Sequence, residues 1–188
     1  VIEFDQSRSM EVILALELRE GSVYGEGKET TLEYTATMAA SLARHILYNG
    51  DSVCLLGDGL MPEACVNGAG PDHLYYLLEA LARMEAGSAF PLGQVILERA
   101  GMIKPYSTLV ALTPLMDNTL LQAFDALLQM GVRPVLVWLD GGSFDAENRV
   151  VSNPPMMDRL RSRDIALYLI RQGDSLTTAM KEVWHAMA

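Results

Sequence analysis

Five short, continuous apolar runs alternate with helix-patterned stretches along this chain, and that alternation leaves few folds open. The clearest unit covers residues 10–49. It opens with the strand Val12-Ile13-Leu14-Ala15-Leu16 and passes through a glycine-rich polar turn over 21–28. It then sets Leu32, Thr35, Ala36, Ala39, Leu42, Ala43 and Ile46 at helical spacing until Gly50 stops the helix. Further strands are predicted over 52–56, 108–112, 134–139 and 165–170, with helices over 71–84, 91–100, 118–130, 156–163 and 175–187. Strands without polar alternation are buried on both faces, as in a parallel sheet covered by helices. Glu63 to Val66 reads as a short strand returning antiparallel beside 52–56, which would set Cys65 opposite Cys54. Residues 140–153 read as a loop, and Val1-Ile2-Glu3-Phe4 as a strand belonging to whatever precedes the domain.

The 188 residues suit one domain, half of them apolar and a fifth charged. The formal net charge of −10 disfavours nucleic acid and anionic membrane surfaces, whose phosphates would be repelled. No apolar run nears the roughly 20 residues of a spanning helix. Two cysteines make no disulfide framework.

Chemistry-bearing motifs are sparse. Gly25-x-Gly27-Lys28 falls short of a phosphate loop, because Ser22 stands at the first glycine position and Glu29 where a hydroxyl is needed. Lys28, Glu29 and Thr30 instead read as the start of the helix, with a hydroxyl cap. His45, His73 and His185 are scattered without zinc spacing. No Gly-x-Ser-x-Gly elbow supports a hidden triad. Asp58, Glu63 and Asp72 read as solvated loop carboxylates. The methionines, Met156-Met157 among them, read as core or as an adaptable contact surface. Trp138 reads as core, and Trp184 as core or a surface patch.

The order of elements resembles the von Willebrand factor A fold, a three-layer, Rossmann-like α/β arrangement with a mostly parallel sheet and one short antiparallel edge strand. More narrowly, the chain resembles the C-terminal part of the bacterial domain-of-unknown-function family fifty-eight. The likeness runs through Gly-Lys-Glu-Thr-Thr-Leu-Glu-Tyr at 27–34, Ala-Ala-Ser-Leu-Ala at 39–43 and Gly-Asp-Ser-Val-Cys-Leu-Leu at 50–56. It continues through Gly-Pro-Asp-His-Leu at 70–74, then 77–81 and 107–113. On that resemblance, residues 1–9 are the tail of a preceding region and 10–188 the A-like domain. The parent would be anchored in the bacterial inner membrane with this domain facing the cytoplasm, and the partner would be a MoxR-type AAA+ ATPase.

A-type domains with a metal site place Asp-x-Ser-x-Ser after the first strand, a Thr on a second loop and an Asp after the fourth strand. Oxygen donors of that kind suit a hard divalent cation. The resemblance sets Glu17, Arg19 and Gly21 on the first loop, Phe90 or Ala89 on the second and Pro114 on the third. Arg19 puts a permanent cation among the ligand positions, and Pro114 removes a carboxylate. Only Glu17 keeps a donor, with Thr113 and Asp117 as weak helpers. An Arg19–Glu17 or Arg19–Glu20 ion pair bracing the loop is therefore expected. The leading expectation is a non-enzymatic protein-interaction domain with no cofactor, no catalytic residue and a degenerate metal site. Its candidate partner contacts are Arg19, Glu20, Asp117 and Asp140. The alternatives are magnesium-dependent adhesion through Glu17, and a hydrolase of unknown substrate.

Overall fold

Alternate side chains of the first strand point to opposite faces, and both faces are dry. Val12, Leu14 and Leu16 enter one apolar cluster, while Ile13 and Ala15 enter another. A computed structural model describes residues 9–145 and 154–187. The sequence expectations for 1–8 and for the stretch 146–153 lie outside the described residues.

The parallel sheet consists of β1 (Glu11–Leu16), β4 (Ser52–Leu56), β5 (Thr108–Thr113), β6 (Arg133–Leu139) and β7 (Ala166–Ile170), in the order β4-β1-β5-β6-β7. An antiparallel hairpin of two-residue strands, β2 (Gly25–Glu26) with β3 (Glu29–Thr30), begins in the turn predicted over 21–28 and ends at the cap of the first helix. The turn at Gly27, with φ +60°, lets it close. Helices α1 (Thr31–Tyr48), α2 (Pro71–Arg83) and α7 (Leu176–Met187) cover the Leu14 face. On the Ile13 face lie α3 (Leu92–Arg99), α4 (Asn118–Gln129) and α6 (Pro154–Arg161). A single helical turn, α5 (Gly141–Phe144), follows β6 and corrects the expectation of plain loop there.

The expected hydroxyl cap is present: Thr30 accepts a hydrogen bond from the Glu33 N–H at 3.2 Å. A second correction concerns residues 63–66. Pro62–Cys65 is a 3-10 turn, not a strand. Proline at its first position fixes a helical φ and brings no donor to a ladder. The antiparallel contact at this edge is one bridge between Val53 and Gly68, where His73 Nε2 also meets the Val53 carbonyl at 2.7 Å. Cys54 and Cys65 are free thiols lining one groove, and burial pushes the Cys54 thiol up to about 12.

The chain leaves β1 toward β4 on one side and later returns to β5 on the other. The order therefore reverses between β1 and β5. Their carboxyl ends frame the crevice where open α/β sheets usually bind ligands.

Candidate functional site

Glu17 is the first residue beyond β1, and the fold buries it. Its side chain is 2 % exposed. A carboxylate removed from water needs donors, and two backbone N–H groups supply them. Arg19 N–H donates to Oε1 at 3.0 Å, and Leu92 N–H donates to Oε2 at 3.2 Å. Leu92 opens α3, so the carboxylate also sits at the positive end of that helix. Loss of water still dominates and raises the Glu17 pKa above its ordinary 4.5. The two N–H bonds and the Arg19 charge oppose the rise, and Asp117 adds to it.

Arg19 folds back over this carboxylate. Its Nη2 lies 3.6 Å from Glu17 Oε2 and 3.2 Å from Asp117 Oδ2. The Arg19 Nε is buried with no hydrogen-bond partner. Asp117 is held in turn as the N-cap of α4. Its Oδ1 accepts from Leu120 N–H at 3.0 Å and from the Thr119 hydroxyl at 2.5 Å. The guanidinium thus ties the end of β1 to the start of α4, and the Glu17 carboxylate ties it to the start of α3. The seam between those helices is tight. A Cβ on Gly93 would lie 2.2 Å from the Thr119 carbonyl carbon and 2.3 Å from Leu120 N.

The loop ahead of α3 is fixed by residues that sequence reasoning did not single out. Ser88 forms a parallel bridge with Arg19 and accepts the Glu20 N–H on its carbonyl at 2.8 Å. Its hydroxyl donates to Asp58 Oδ2 at 2.7 Å and accepts from Phe90 N–H at 3.0 Å. The Gly57-Asp58-Gly59 turn carried a signal for Asp58; nothing local marked Ser88.

Of the expected pairings, Arg19–Glu17 is present. The second partner is Asp117, which corrects the Arg19–Glu20 alternative: Glu20 is exposed. Gly21 takes a positive φ of 80° at the loop tip. Phe90 stands 46 % exposed on the rim. Pro114 is buried, and its carbonyl accepts the Trp138 indole N–H at 3.3 Å. Thr113 is spent on its own turn, accepting Leu115 N–H at 2.9 Å and donating to the Leu115 carbonyl at 2.8 Å. Asp140 lies beyond β6 and faces Arg171 at 3.6 Å.

These residues do not fit a divalent cation. The position between the two carboxylates is taken by a guanidinium that cannot lose its charge, and the hydroxyl of Thr113 is engaged. Among the described residues no three His, Cys, Asp or Glu side chains converge as a metal cluster. No described helix is long and apolar enough to cross a membrane.

No family model matches the chain, and no curated protein matches its sequence. A solved structure does match: an aerotolerance-related membrane protein from Bacteroides fragilis NCTC 9343, in a form with multiple mutations to serine. The TM-score is 0.61 over 95 % of this chain and 98 % of that one, at 16 % identity. At that identity the likeness is one of fold. The α/β architecture of von Willebrand factor A type, expected from the order of elements, is the architecture found.

Proposed function

We propose that this chain is a non-enzymatic, metal-independent interaction domain that presents the carboxyl end of its sheet to a protein partner. The observation carrying this reading is the position of Arg19 Nη2, 3.2 Å from Asp117 and 3.6 Å from Glu17. A fixed cation there performs internally the bracing that a metal would otherwise provide. Exposed Phe90 and Glu20 flank it on loops held by Ser88. Aromatic anchors beside charged groups are the residue types on which interfaces concentrate their energy. The narrower setting rests on the sequence resemblance to domain-of-unknown-function family fifty-eight. In that setting the partner is a MoxR-type AAA+ ATPase, and the parent protein is anchored in the bacterial inner membrane.

The test is binding of the domain to the MoxR-type ATPase of the same organism, measured by biolayer interferometry. Glu20→Lys and Phe90→Ser alter exposed positions and leave the ion pairs intact. Each is expected to weaken the complex at least about tenfold, the effect of losing one good contact. Unchanged affinity in both variants would remove this surface from the proposal. A saturable, EDTA-sensitive magnesium signal in calorimetry of the unmodified chain would remove the metal-independent part.

A further inference from the structure

Two of the chain's three histidines, separated by 140 residues along the sequence, meet at a groove between α1 and α7. The groove encloses about 450 Å³, within the range of small-molecule sites. Leu42, Met180 and Trp184 make its apolar floor, and His45, Lys181 and His185 line its rim. The His45 ring meets the Trp184 indole edge to face, with centroids 4.1 Å apart. This contact stiffens the wall and orients the imidazole.

The charge pattern is what selects a ligand. On a chain of net charge −10, no carboxylate is among the residues lining this groove. Among the described residues the Lys181 ammonium and the His45 ring nitrogens have no hydrogen-bond partner. The His185 Nδ1 donates to the Lys181 carbonyl at 2.5 Å, so Nε2 of the neutral ring is an acceptor and offers no proton to an anion. Ser41 and Thr177 add hydroxyls to the same wall. Several other cations of the fold are paired: Arg19 with Asp117, Lys104 with Glu11 and Arg163 with Asp125.

The geometry points to a binding site for a small monocarboxylate with an apolar tail. Its carboxylate meets Lys181 and the His45 imidazole, and its tail lies along Leu42, Met180 and Trp184. An alkyl ammonium is refused by the same rim, and an alcohol of equal length gains the floor but not the charge. This site is separate from the carboxyl end of the sheet and does not depend on the function proposed there.

The full chain is titrated with sodium decanoate, decanol and decyltrimethylammonium chloride, read by calorimetry and by tryptophan emission. Trp138 is buried on the opposite face of the sheet, so an emission change reports Trp184. Decanoate is expected to bind saturably with an emission change, decanol at least about fivefold more weakly, and the ammonium not at all. Lys181 is exposed, so its variants fold. Lys181→Gln is expected to weaken decanoate about three- to fivefold, and Lys181→Glu to abolish its binding. Equal binding of all three amphiphiles, no saturable decanoate signal, or undiminished binding by Lys181→Glu each overturns the proposal.

Discussion

Arg19 and Lys181 are both cations on the same small fold, yet the structure treats them in opposite ways. Arg19 is three-quarters buried and faces Glu17 and Asp117, so its charge is spent inside the molecule. Lys181 is exposed on α7, beside two imidazoles and no carboxylate. A charge satisfied internally fixes how elements meet. An unsatisfied one contributes almost nothing to the fold and is left for something that arrives from outside. The carboxyl end of the sheet is therefore expected to be sensitive in stability, and the α1–α7 flank sensitive only in binding.

That contrast breaks most readily at Arg19. Arg19→Met keeps much of the side-chain volume but strands a buried carboxylate, and should cost roughly 2–4 kcal/mol in urea unfolding. A loss below about 0.5 kcal/mol would show that the ion pairs do not hold the apex together. Asp117→Ala removes the N-cap of α4 and one arm of the guanidinium. It should cost roughly 1–2 kcal/mol in the same assay.

Glu17 sharpens the comparison through pH. Burial keeps its folded pKa above 4.5, so the folded chain holds a proton that the unfolded chain releases. Its contribution to stability is thus full below pH 4.5 and is lost as pH rises through the raised folded value. Glu17→Gln cannot titrate. The unfolding free energy of the parent chain, minus that of the variant, should fall as pH climbs from 4.5 and then level off. A flat difference across that window would place Glu17 in a wetter setting than the structure gives it. Smallest of all, Lys181→Gln should shift stability by less than about 0.5 kcal/mol, because it removes no internal partner.

Much of this arrangement could be read from the chain before any coordinates. Runs such as Leu109-Val110-Ala111-Leu112 are too apolar to be anything but a doubly covered strand, and Gly50 and Gly131 end helices where the pattern stops. The Arg19–Glu17 pair was legible because the two residues share one loop. Asp117 was not, since its role as second partner depends on α4 beginning beside β1, a tertiary fact. The 3-10 turn at Pro62–Cys65 was masked by a short apolar run whose proline mattered more than its hydropathy. Residues 25–30 hid a hairpin because two-residue strands leave no periodicity to detect. The α1–α7 groove was invisible for a similar reason: His45 and His185 are each unremarkable within their own helices.

The missing side chain at Gly93 has a consequence beyond packing. With backbone against backbone there, the mouths of α3 and α4 share one tight joint; α3 holds the Glu17 carboxylate through the Leu92 N–H, and α4 holds the guanidinium through its cap Asp117. Pressure applied at Phe90 is therefore delivered to both helices together, and the apex answers as a single lever rather than as separate loops.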